Sequence, residues 1–363
     1  MFLNHTYHTY LLSDNIGISF TDNGPPPNSD NYTTLVIFHG TAFNGYSLEK
    51  LHGFSHQLNL RTVIWNRREY PCSTPYSDSE LEDLTKGRKI FMDRIGRQVC
   101  EFLLQFIEKE KIPKASDDLR RGGIAVMGWF IGACSAMALF SDADLVPRRT
   151  HAILEQYVKD LVLTDPPYLC FGFKMPDIRY YDTWTDPDLK TPQEKVQKFS
   201  VWVSSFFDHP NPDSGDVRDM DLTAKQGGNA TVAKWTSKEF ERYFSEGAAV
   251  RSDFPMYTEP MQTTLRELTE QVFYDESLIK SHFPHLKVTV VYGTRTTWRS
   301  LWGSKELQRS YDERLSKGMK ARPLRSYKIS GANHFLHWED PKLLLEKVAE
   351  GIRGPNGTHF RGT

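Results

Sequence analysis

The sequence predicts an α/β fold: a mostly parallel central sheet flanked by helices, with a helical lid inserted late in the chain. Three observations predict it. Short apolar runs alternate with helix-patterned segments, as strands buried on both faces of a parallel sheet require. A strand–turn–helix unit with paired glycines, GGIAVMGWFIGACSA, runs from Gly122 to Ala136. About 120 residues separate two late strands, far more than a connection needs.

The elements follow in order. Thr9 to Ser13 and Ile16 to Asp22 read as two short strands, and the proline-rich Asn23 to Asn28 as the loop that ends them. TTLVIF at Thr33 to Phe38 and RTVIW at Arg61 to Trp65 are strands. From Lys89 to Lys111 the residues Ile90, Phe91, Ile95, Val99, Phe102, Leu103 and Phe106 share one helical face. Ile124 to Met127 is the central strand, and Leu161 to Thr164, Lys287 to Tyr292 and Leu324 to Ile329 complete the sheet. Between the last three, Thr191-Pro192-Gln193-Glu194 is a capping box with proline at the first helical position, and Thr236 to Glu239 caps a second helix. The expected division is a core of residues 1–169 and 281–363 with a lid of 170–280.

Composition narrows the function classes. A formal charge of −1 argues against bulk nucleic-acid binding, which needs a basic face. No apolar stretch approaches the ~20 residues of a membrane span. The 13% aromatic content fits an aromatic-lined cavity for a small hydrophobic molecule, and equally a large core. Cys72, Cys100, Cys134 and Cys170 lack C-x-x-C spacing and read as free thiols in a reducing compartment. With no basic, apolar leader and no targeting tail, the expectation is a cytoplasmic monomer or homodimer. On that basis the N-x-T patterns at Asn4, Asn31, Asn229 and Asn356 are coincidental. No metal-ligating pattern appears, and no cofactor is expected.

Gly128 to Gly132 has the layout of a nucleophile elbow, G-x-S-x-G, with Phe130 where the serine belongs. A phenyl ring cannot attack a carbonyl. Cys134 and Ser135 lie one turn on and would point into packing, and Ser73 follows a different strand. HGTAFNG after His39, the elbow, and GANHFLHWEDP near the end appear in a fixed order. With WNRREYPCSTPY and LVLTDPPY, this set resembles the α/β-hydrolase superfamily, and within it large-lid members common in basidiomycete fungi.

The resemblance implies an oxyanion hole with one backbone donor at Ala42 or Phe43 and the other at Ile131, where the helix dipole favours an anion. It makes His334 the base, whose ordinary pKa of ~6.5 suits proton transfer; the alternative is a loop histidine bonded to backbone. The usual place for the orienting acid, Gly293 to Arg299, holds no carboxylate. Asp165 is then either the partner of His334 or a turn former ahead of Pro166-Pro167. Trp129, Trp298 and Phe335 are expected to line a pocket, although each alone is more often core. Arg67-Arg68 either binds an anion or contacts the lid.

Three functions fit. The first is His334-based acid/base chemistry without a serine nucleophile on a small hydrophobic substrate, which the fungal resemblance associates with secondary metabolism. The second is an ester or lactone hydrolase silenced by Phe130. The third is a non-catalytic small-molecule binder.

Overall fold

The computed structural model describes residues 5–354, so Asn4, Asn356 and the extreme termini lie outside it. One sheet contains β1 (Thr6–Leu11), β2 (Gly17–Asp22), β3 (Thr33–Phe38), β4 (Leu60–Trp65), β5 (Ile124–Trp129), β6 (Val158–Thr164), β7 (Lys287–Gly293) and β8 (Leu324–Ile329). Their order is β1-β2-β4-β3-β5-β6-β7-β8. β2 pairs antiparallel with β1 and β4, and the remaining pairs are parallel. Every residue of β3, β4, β5, β6 and β7 is buried, which is why each carries a short apolar run, although Arg61, Lys159 and Asp160 are buried among them. β1 is an exposed edge whose polar, aromatic residues hid its start; it begins earlier than predicted, and Ser13 belongs to a short turn.

The helix Lys89–Glu110 buries Phe91, Val99, Phe102, Leu103 and Phe106, the face its periodicity marked. Between β6 and β7 the chain forms short helical turns plus the helices Pro192–Val203, Ser237–Tyr243, Glu259–Tyr274 and Glu276–Ser281. Thr191 and Thr236 cap theirs as capping boxes with Glu194 and Glu239. Glu259–Tyr274, assigned to the lid from sequence, packs against the helix Gly132–Ala138 that follows β5. Met261, Leu265, Leu268 and Val272 are buried in this helix. Among the described residues no helix is long and apolar enough to cross a membrane.

Candidate active site

The loops after β3, β5, β6, β7 and β8 meet at the carboxyl ends of the parallel strands, where open α/β sheets place their ligands. Only Phe130 and Ile131 separate β5 from the helix Gly132–Ala138. Phe130 sits in the left-handed region at φ 52° between the strand and the helix Gly132–Ala138. Two glycines make that turn sterically possible. A Cβ on Gly132 would lie 2.3 Å from the Phe38 carbonyl oxygen, and one on Gly128 would lie 2.4 Å from the Ala133 nitrogen. The sequence thus builds an elbow and puts a benzyl group at its apex.

The β8 loop brings His334 against that ring. The imidazole and phenyl centroids are 4.7 Å apart, with planes at 76°. Asp165, also left-handed at φ 48°, turns its carboxylate onto His334 Nδ1 and forms a hydrogen-bonded pair with it. The same carboxylate accepts from the Gly293 N–H at 3.1 Å and from the Thr296 hydroxyl. The loop that lacks a carboxylate therefore supplies donors to the one on β6. These bonds favour a tautomer in which Nδ1 carries the proton and Nε2 is left as the basic nitrogen. His334 Nε2 is buried without a hydrogen-bond partner.

Of the expected oxyanion donors, the Ala42 N–H is already engaged. Ala42 is left-handed at φ 64°, and its N–H donates to the Tyr70 hydroxyl at 2.9 Å. It also lies 3.4 Å from Asp253 Oδ2, to which Tyr70 donates in turn. Arg67 holds the same carboxylate, with Nη2 at 2.9 and 3.1 Å from its oxygens, and donates to the Gly40 carbonyl. A buried carboxylate delivered by the insertion thus stands where an incoming anion would have to compete. Burial pushes the Asp253 carboxyl up despite Arg67, and burial together with Asp253 pushes the Tyr70 phenol up. Phe43 packs on Trp129 and Phe335, and Ile131 opens the helical turn after Phe130.

His39 is buried; Nε2 accepts from the Arg67 N–H and Nδ1 donates to the Gly40 carbonyl. Burial, then Arg67, holds its pKa well below the ordinary value, so it is a neutral spacer. His337 lies 4.1 Å from Trp129, centroid to centroid, and burial, then the neighbouring His334, holds its pKa well below the ordinary value. Cys134 and Ser135 are buried in the helix after the elbow, and Cys170 Sγ donates to the Phe130 carbonyl. Ser73 bonds Asn66 and Ser19, away from the elbow. Asp340 caps the last helix, and Glu339 bonds Thr231 and Lys234.

A cavity of about 580 Å³ lies under the insertion. Tyr168, Tyr180, Trp184, Phe254 and Tyr257 form its aromatic wall, and Arg299 and Asp182 lie among its polar lining. None of Trp129, Trp298 and Phe335 lines it, which corrects the expected pocket. Trp129 and Phe335 pack on each other and on Phe43 beneath His334, while Trp298 stacks behind Tyr168 and Tyr180. Phe130 and His334 are not lining residues either. Phe130 touches the cavity's wall from the other side, 6.4 Å from the Tyr257 ring. The space beside His334 and Asp165 is about 10 Å³, too small for any substrate. Sequence reasoning missed Tyr70, Asp253 and Tyr257, which carry no local motif. Among the described residues no three His, Cys, Asp or Glu side chains converge to hold a metal ion.

No family model matches the chain, and no curated protein matches its sequence. Solved structures do resemble it. An N-acyl homoserine lactonase variant complexed with N-hexanoyl homoserine is 13% identical over 99% of this chain and 100% of that one, with a TM-score of 0.52. A variant epoxide hydrolase of Vigna radiata is 10% identical over 96% and 98%, with a TM-score of 0.51. An esterase of Exiguobacterium antarcticum is 13% identical over 96% and 100%, with a TM-score of 0.50. At such identities the likeness speaks to architecture, and with the sheet order and crossed-over parallel strands it leads to one conclusion: this chain has the α/β-hydrolase fold.

Proposed function

We propose that this protein binds a small, largely apolar molecule in the cavity under the insertion, and that Phe130 closes the hydrolytic site its fold was built around. One observation carries the reading. The ring of Phe130 fills the elbow apex against His334, while the 580 Å³ cavity is lined by neither residue. The occupied Ala42 N–H supports it from the oxyanion side. Cavities of roughly 300–1,000 Å³ with aromatic walls and a few polar groups are of the size that takes drug-sized ligands. The insertion, residues 170–280, would then act as a cover over that cavity, in a cytoplasmic monomer or homodimer. The fungal resemblance would make a polyketide or terpenoid the natural occupant.

A second reading keeps His334 at work as a base without a nucleophile. The observation favouring it is the intact His334–Asp165 pair with Nε2 unsatisfied. Such a pair can abstract a proton if Phe130 swings aside.

The test is a comparison of binding and turnover in the wild-type chain. The expected outcome is saturable, one-to-one quenching of tryptophan fluorescence by a naphthalene derivative, with no release of p-nitrophenol from p-nitrophenyl esters. Ester turnover that His334→Ala abolishes with Phe130 in place would contradict this reading and favour the second.

A further inference from the structure

We infer that the cavity is built for an anionic ligand: an aromatic molecule bearing a carboxylate, held by Arg299 and met at the mouth by Lys190 and Lys195. The inference rests on the binding role proposed above and adds the chemistry of the ligand.

Three cations and one carboxylate line the cavity. The carboxylate, Asp182, is already engaged. It pairs with Arg299 at 2.9 Å and accepts from the Trp184 N–H at 2.9 Å. Arg299 is only 3% exposed, and its Nε has no hydrogen-bond partner. A buried guanidinium is expensive to keep, and an anion in the cavity that Arg299 lines would add to Asp182 in compensating its charge. Trp202 and Trp298 lie 5.3 and 5.4 Å from its guanidinium carbon and hold the plane in place. Lys190 and Lys195 each donate to a backbone carbonyl, of Pro187 and Trp184 respectively. Among the described residues neither forms an ion pair, so each ammonium keeps donors for a ligand.

The rest of the wall selects the body of that ligand. Tyr168, Tyr180, Trp184, Phe254 and Tyr257 offer flat apolar faces against which an aromatic ring system stacks. Arginine's fork matches a carboxylate in a way that a neutral amide cannot reproduce. The arrangement therefore discriminates by charge at one end and by shape along the remainder.

The experiment is calorimetric titration of the full chain with 2-naphthoate and with the neutral 2-naphthamide, at low and at high salt. The expected result is a preference for the carboxylate of about tenfold or more, shrinking as salt rises. Lys190→Met combined with Lys195→Met, both near the surface, should weaken naphthoate and leave naphthamide unchanged. Arg299→Met should remove most of the preference, leaving only the share that Lys190 and Lys195 supply. Equal affinity of the wild-type chain for the two probes overturns the inference while leaving a neutral-ligand cavity standing. Failure of both probes to bind overturns the inference together with the binding role beneath it.

Discussion

A phenylalanine held at φ 52° carries a backbone cost of roughly 1–2 kcal/mol, which glycine would not. The burial of its ring, at 2% exposure, returns roughly the same amount or more. The residue is thus tolerated at the apex because the ring is packed, between His334 on one side and Phe199 and Tyr257 on the other. Asp253 presents the opposite balance. Its carboxylate is fully buried and is the partner of a guanidinium that is itself mostly covered. Removing one half of such a pair leaves an uncompensated charge. Asp253→Ala is expected to lower the free energy of unfolding by about 3–5 kcal/mol, read from urea denaturation, and Asp253→Asn by less. A loss within experimental error for the alanine variant would show that Arg67 finds solvent instead.

At the scale of elements, the elbow depends on how closely a helix can approach β3 and β5. A Cβ on Gly132 would run into the carbonyl oxygens of Phe38 and His39, backbone atoms that cannot step aside. Gly132→Ala is expected to cost about 2 kcal/mol or more, measured by the denaturation midpoint, because relief requires the helix to move. An unchanged midpoint would mean that the turn is looser than its geometry implies. The capping boxes at Thr191 and Thr236 show the contrasting case, in which local sequence alone fixes a helix start. They were legible for that reason. The apolar stripe of Glu259–Tyr274 reports only that it packs, and not against which partner.

Across the whole molecule, burial leaves a clear pH signature. His39, His52, His151, His209, His282 and His337 are all held below their ordinary pKa by desolvation, His282 at about 4 and His52 at about 3. In the unfolded chain these groups titrate near ~6.5. Below that pH the unfolded state binds protons that the folded state refuses, so stability falls as the solution is acidified. Asp160 and Asp253 act in reverse: burial raises both, Asp160 to about 6, so the folded state takes up their protons first. The histidines outnumber them. The melting temperature is expected to drop between about pH 7 and about pH 4.5 in calorimetry, and a flat profile would contradict the neutral burial of these rings.

The same scale explains what could be read in advance. The sheet, the elbow and the His334 position follow from short motifs whose spacing is set by local strand–turn–helix geometry. Two roles fit Asp165 in the sequence, and the alignment of β6, β7 and β8 is what brings it to His334. The Arg67–Asp253 pair joins residues 186 positions apart, and Asp182 reaches Arg299 across a similarly remote stretch. No local pattern encodes such contacts, because they depend on where the insertion settles.

The central claim is that a single side chain separates this site from a working nucleophile and base. The most direct measurement is covalent labelling of folded Phe130→Ser by a fluorophosphonate, followed by mass spectrometry, beside Phe130→Ser/His334→Ala and the wild-type chain. The account predicts a label on the peptide containing position 130 in the single variant, forming about a thousandfold faster than in the double variant, and none in the wild type. A folded single variant that stays unlabelled, or that labels no faster than the double variant, would contradict it.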